Sequence, residues 1–274
     1  MTVRPYPTAL GRGLVMKNPS NRFAISGWGV ALVVLVVQAL LVDGRSVLVA
    51  ITSSVGVYLA WAVGRELDPD NAGVAQWALV LGLAFALWSP PGALAAGVTM
   101  LGIRVVVGTI GAAVRPVDVA ALLAIGFAAA IEPVAWLGGV MVLIWLWAAP
   151  EVGELRTPGL IAFGVGVVAG ASLSVLAIWE TSPFDAEVTA TAYVLAAVAG
   201  AATLLAARPI DVEARTDKRG GRIDAVRVRF GRLGAGTACI WAAVIAGTAG
   251  FWLLGPVFAA LIVAAVYRVF VHPA

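Results

Sequence analysis

Three carboxylates crowd the run Gly64-Arg65-Glu66-Leu67-Asp68-Pro69-Asp70-Asn71, the densest polar cluster outside one long basic loop. Asp68 and Asp70 together suit a hard cation. Mg²⁺ fits such a turn because it takes a few carboxylates alongside phosphate oxygens rather than a full protein cage, which makes a diphosphate the matching ligand. A second turn, Glu151-Val152-Gly153-Glu154-Leu155-Arg156, repeats the glycine, glutamate and leucine more loosely and makes Glu154 and Arg156 the counterparts of the first cluster. The same residues also read as an acidic turn at helix ends, since Asp, Asn and Pro are standard turn formers.

Arg104 lies deep in the apolar run Thr99-Met100-Leu101-Gly102-Ile103-Arg104-Val105-Val106-Val107. An arginine near the middle of a membrane span costs at least about 2.5 kcal/mol, so it is expected to face the protein interior and meet a partner. Glu132, backbone carbonyls or an anionic ligand are the candidates. Other chemistry is sparse. With one histidine, His272 near the C-terminus, the body of the chain has none for a Ser-His-Asp or Cys-His arrangement, and the lone Cys239 excludes an intramolecular disulfide and multi-cysteine metal sites.

The elements that must position these residues follow from composition. The chain has 274 residues, 61% hydrophobic and 12% charged, against about 25% charged in soluble domains, which excludes a water-soluble fold. Apolar segments at 28–42, 46–63, 74–88, 92–114, 119–131, 134–149, 158–179, 187–207, 233–249 and 251–267 predict an all-α polytopic bundle of about ten transmembrane spans. The stretch 119–149 reads as two spans joined by a Glu132-Pro133 turn, because a single span would strand the Arg208–Arg232 loop outside. That loop carries eight Lys and Arg residues, and positive charge stays inside. Under this reading 1–27 is an uncleaved cytoplasmic leader, 28–207 holds eight spans, 208–232 is a basic cytoplasmic loop and 233–274 is a helical hairpin and tail. The protein is then a multi-pass protein of the cell membrane with both termini cytoplasmic.

Arg115-Pro116-Val117-Asp118-Val119-Ala120-Ala121 recurs as Arg208-Pro209-Ile210-Asp211-Val212-Glu213-Ala214, and Ser89-Pro90 recurs as Ser182-Pro183 at the same offset. The two anchors predict a parallel four-helix repeat, spans 1–4 matching spans 5–8, with a binding site at the interface between repeats. Repeated four-helix units with acidic turns after helices 2 and 6 resemble the layout of the UbiA-type intramembrane prenyltransferases. That resemblance implies Mg²⁺-dependent transfer from an isoprenoid diphosphate. The family's first motif, Asn-Asp-x-x-Asp-x-x-x-Asp, is represented here only by Glu66, Asp68 and Asp70, and the second turn has no aspartate.

Within the basic loop, Val226-Arg227-Val228-Arg229-Phe230 alternates in the manner of a short surface strand or a segment lying on lipid. Anionic headgroups attract such charge by about 1 kcal/mol per Lys or Arg. Nucleic-acid binding is not expected, because the chain carries no reader motif. The partners expected are membrane lipids, an anionic or lipid-linked small molecule, and partner membrane subunits. Three function classes are open at this point: a carrier or translocator of a small anionic or amphipathic solute bound between the repeats, a membrane transferase on isoprenoid diphosphates, and a non-catalytic subunit of a membrane complex. Arg104, Glu66, Asp68, Asp70, Glu132, Glu154 and Arg156 are the candidate ligand-binding residues.

Overall fold

The structure, a computed structural model, describes residues 14–111, 189–209, 211–216 and 220–271, with isolated positions 117, 118, 121 and 124. Regular structure among the described residues is helical: α1 (Pro19–Gln38), α2 (Val47–Leu67), α3 (Ala72–Trp88), α4 (Ala93–Val107), α5 (Ala190–Ala206), α6 (Ala225–Leu253) and α7 (Gly255–Phe270). Three helical stretches, Pro19–Val42, Val47–Leu67 and Ala225–Leu253, are long and apolar enough to cross a membrane, and the other four are shorter apolar helices.

The helix ends follow local chemistry. Asn18 caps α1 by accepting the Ser20 N–H, with Pro19 in the first turn where its missing N–H is harmless. Ser46 accepts the Val49 N–H to start α2, and Asp224 accepts the Val226 N–H to start α6. Gly108 ends α4 in the left-handed region at φ 71°, a conformation open to glycine at no steric cost. Gly247, at φ 61° and ψ −157°, breaks α6 into two helical segments.

α2 is the central helix, packed against α1, α3, α4, α6 and α7. Its approach to α3 is set by small side chains. A Cβ on Gly64 would lie 2.9 Å from the Ala75 Cα, and one on Gly82 would lie 2.8 Å from the Ala60 Cβ. Gly56, Ala60 and Gly64 recur every fourth residue and so form one stripe along α2. In lipid, apolar side chains gain nothing by leaving one helix face for another, so close backbone approach through small residues supplies the association. Gly236 of α6 meets Thr203 of α5 in the same manner.

Hydrogen bonds fix the helix directions. Trp61 Nε1 donates to Ser20 Oγ and Arg65 Nη1 to Asn21 Oδ1, which puts the start of α1 beside the end of α2. At the other end, Gln38 Nε2 donates to the Leu87 carbonyl and Gly92 N–H to the Leu253 carbonyl. One end of the bundle therefore gathers the C-terminal ends of α2, α4, α5 and α7 with the N-terminal ends of α1, α3 and α6. It is called the arginine end below.

The all-helical expectation holds for the described residues, whose seven helices correspond to expected spans 1–4 and 8–10. Several boundaries differ. α1 begins at Pro19, inside the expected leader, because Asn18 and Pro19 form a cap that hydropathy does not register. α6 begins at Ala225, so the end of the expected loop, including Val226–Phe230, is helix rather than strand. α4 stops at Val107 rather than 114, because Gly108 turns left-handed. Apart from positions 121 and 124, expected spans 5–7 lie outside the described residues, as do the Glu132-Pro133 turn, Arg115-Pro116 of the first Arg-Pro copy and the Ser182-Pro183 copy.

Replacing Gly64 by valine forces a side chain into the backbone of α3 and should cost about 1–3 kcal/mol or more by overpacking. Gly29, with open space around its Cβ position, should accept alanine with no loss. Thermal unfolding of the two variants in detergent checks the contrast, and equal melting temperatures would contradict the packing described.

Candidate functional site

The arginine end is built from helix termini. The last carbonyls of an α-helix have no partner within it and carry the negative end of the helix dipole, so cations are favoured where such ends converge. Here the first two turns of α6 supply them. Arg232 donates from Nε to the Leu67 carbonyl at 2.6 Å and from Nη1 to the Ala206 carbonyl at 2.9 Å, joining the ends of α2 and α5. Arg227 donates from Nε to the Val106 carbonyl at 2.6 Å and from Nη2 to the Val105 carbonyl at 2.9 Å, closing the end of α4. The planar guanidinium reaches two carbonyls at once, which a lysine ammonium on a flexible stem does less precisely.

The carboxylates sit between these arginines. Glu66, fully buried in the last turn of α2, accepts Arg104 Nε at 2.7 Å and Thr109 Oγ1 at 2.5 Å. Asp68, 1% exposed, follows the end of α2. It accepts Arg268 Nη2 at 3.0 Å and Asn71 Nδ2 at 3.1 Å, and it lies 3.8 Å from Arg232 Nη2. Asp70 is exposed and points elsewhere, accepting the backbone N–H groups of Glu213 at 3.2 Å and Ala214 at 2.6 Å. That pair of bonds ties the 211–216 segment to the α2–α3 turn.

Two donors in this cluster have no hydrogen-bond partner: Arg232 Nη2 and Arg268 Nε are both buried. Arg232 as a whole is inaccessible to solvent, and the Arg268 side chain is 10% exposed. Asp68 is thus one carboxylate serving two guanidiniums, and the pair retains unused donor capacity.

The residues singled out from sequence fall as follows. Glu66, Asp68, Asp70 and Arg104 share the arginine end, but the three carboxylates do not converge on a common point. Each has its own protein donors. Arg104 lies in the last turn of α4 rather than at its middle, and Glu66 is a carboxylate partner of it. The reason is the early stop at Gly108. Glu132, Glu154 and Arg156 lie outside the described residues. Among the described residues, no group of three or more His, Cys, Asp or Glu side chains is placed to hold a metal ion. Arg227, Arg232, Arg268 and Thr109 were not picked out by sequence reading. The available signal was Asp224 as a helix cap, which turns the following arginines from a strand-like alternation into a helical set.

No family model matches the chain, and no curated protein or solved structure is similar to it.

Removing Arg232 orphans two carbonyls and takes one cation from Asp68. Arg232→Met should destabilise the fold by about 3–5 kcal/mol, the usual consequence of deleting one partner of a buried charged pair. Arg229→Met, on the exposed side of the same helix, should stay within about 0.5 kcal/mol. Unfolding curves for the two purified variants decide it.

Proposed function

We propose that this chain is a multi-pass membrane carrier of a small anionic or amphipathic solute, and that the anion docks on the Arg232–Arg268 pair at the arginine end. The observation that carries the reading is the pair of buried, unpartnered donors, Arg232 Nη2 and Arg268 Nε, around a single shared carboxylate. A buried polar group without a partner costs about 1–3 kcal/mol, and more when it is charged. An oxyanion with several acceptor oxygens answers both donors at once by charge-assisted hydrogen bonds.

The alternative, Mg²⁺-dependent transfer from an isoprenoid diphosphate, asks Asp68 and Asp70 to ligate a metal. Asp68 would have to give up Arg268 and Asn71, and Asp70 the Glu213 and Ala214 N–H groups. The site offers unused donors rather than unused acceptors, which favours anion over cation. Glu66 and Arg104 then serve as a buried ion pair beside the site.

In the proposed topology the arginine end faces the cytoplasm, as the positive-inside rule requires. Helix parity supports ten spans rather than nine. α4 ends at the arginine end, and α5 starts at the opposite end, so an odd number of crossings separates them. The apolar segments 119–131, 134–149 and 158–179 provide three; reading 119–149 as one would provide two. With that count, spans 1–4 and spans 5–8 would run in matching orientations, as the proposed parallel repeat needs.

Inorganic phosphate and pyrophosphate should each raise the melting temperature of the purified protein without added Mg²⁺, and Arg268→Gln should abolish the shift. Reconstituted vesicles should in turn show counterflow of labelled phosphate that the same variant loses. A shift that appears only with Mg²⁺ and vanishes on replacing Asp68 and Asp70 with asparagine would overturn the carrier reading in favour of transfer chemistry.

A further inference from the structure

Arg268 is a half-filled fork. Nε and Nη2 share one edge of a guanidinium and their N–H groups point the same way, which is why a carboxylate with both oxygens on that edge makes two parallel bonds. Asp68 does not bind in that manner. Its Oδ2 takes Nη2 of Arg268 at 3.0 Å, while its Oδ1 is taken up by Asn71 Nδ2 at 3.1 Å. The Nε–H beside Oδ2 is left buried and without a partner. Arg232 Nη2 stands 3.8 Å from the same Oδ2 and is likewise unpartnered. Of the two arginine side chains, only that of Arg268 reaches the surface, at 10% exposed.

An anion that accepts the Nε–H must place an oxygen next to Asp68 Oδ2, since parallel N–H groups on one edge hold their acceptors side by side. Two negative oxygens so placed repel each other, and burial keeps water from screening them. A proton between them reverses the sign. An O–H carried by the ligand, on that oxygen or on one beside it, donates to Oδ2, and the contact becomes a charge-assisted hydrogen bond. Asp68 can accept it, because an ionised carboxylate offers about four lone-pair sites and hydrogen bonds from Arg268 and Asn71 engage only part of them. Arg232 and Arg268 against Asp68 leave one positive charge in excess, so the cluster attracts anions in general. The proton decides among them. We propose that the anion is hydrogen phosphate, recognised by the proton it still carries: one oxygen accepts Arg268 Nε and the O–H donates to Asp68. This inference rests on the anion reading above and adds the class of oxyanion. Sulfate has nearly the same shape but no proton to give, so Asp68 excludes it.

The test uses the full-length protein in detergent, with dissociation constants from calorimetric titration of inorganic phosphate, sulfate and methyl phosphate. At about pH 8 all three are chiefly dianions; inorganic phosphate keeps one proton, whereas methyl phosphate, a monoester with a second pKa of about 6, keeps none. Phosphate should bind at least about tenfold more tightly than either, the weight of one charge-assisted hydrogen bond. Methyl phosphate stands in for any phosphate monoester, so its rejection separates free phosphate from a monoester solute. Asp68→Asn removes the charge that repels an unprotonated oxygen and weakens the acceptor, so the three constants should come within about twofold of one another. Asp70→Asn, at an exposed carboxylate bonded to the Glu213 and Ala214 N–H groups, should leave the wild-type ranking intact.

The outcomes separate the two readings. If sulfate or methyl phosphate binds the wild-type protein as tightly as phosphate, and Arg268→Gln abolishes that binding, the anion site stands and recognition of the proton is overturned. A folded Asp68→Asn variant, judged by monodisperse elution, that still prefers phosphate by about tenfold would overturn it too. Should that variant not fold, the ranking of the three anions on the wild-type protein decides alone. If no oxyanion binds, the anion site and the inference fall together.

Discussion

The constraint on which the arrangement depends is the convergence of helix C-termini at one end of the bundle. Carbonyls at the ends of α2, α4 and α5 lack partners within their own helices, and burying such a group unpaired costs about 1–3 kcal/mol. Arg227 and Arg232 answer four of them with donated N–H groups. Both arginines come from the helix that starts where the others stop, so α6 closes the three ends with its own first turns. Charge follows from that choice. Guanidiniums brought in to satisfy carbonyls also have to be compensated, which accounts for a buried Asp68 at the same place.

Such closure needs the helix ends near one another, and the small residues supply that proximity. Gly64 allows α2 and α3 to approach at Ala75, only a few residues from the Glu66–Asp70 turn. Gly231 of α6 sits against Val107, the last residue of α4, where a Cβ would lie 2.7 Å from the valine side chain. Close packing and the polar cluster are therefore one design read at two levels. Backbone approach sets the distances, and the arginines then reach across them.

The helical class and the approximate positions of the described helices were legible from apolar runs bounded by Gly, Pro and charge. Glu66, Asp68, Asp70 and Arg104 each stood out as charged residues among apolar runs, but nothing in the sequence put Arg104 beside Glu66. Two things were hidden. Hydropathy alone carried span 4 past Gly108, which made Arg104 look central, although a glycine after an apolar run with a cation in its last turn is an ordinary helix stop. The alternation at Val226–Phe230 matched a strand period over too few residues to compete with the Asp224 cap. The partners of each carboxylate were also beyond reach, because Arg232 and Arg268 lie 164 and 200 positions from Asp68 in sequence and meet it only through packing.

The division of labour within the two guanidiniums bears on how a site can coexist with a lock. Arg232 uses Nε and Nη1 for the helix carbonyls and keeps Nη2 toward Asp68, while Arg268 uses Nη2 for Asp68 and keeps Nε. The donors that hold the fold are therefore different atoms from the donors left over. An anion engaging Nε of Arg268 need not release the Leu67 and Ala206 carbonyls from Arg232. An anion competing for the carbonyl-bound N–H groups would have to reopen the ends of α2 and α5, offsetting its own binding. On the proposed carrier reading, an anion exchanges at the arginine end while the arginine-to-carbonyl bonds keep the helix termini closed.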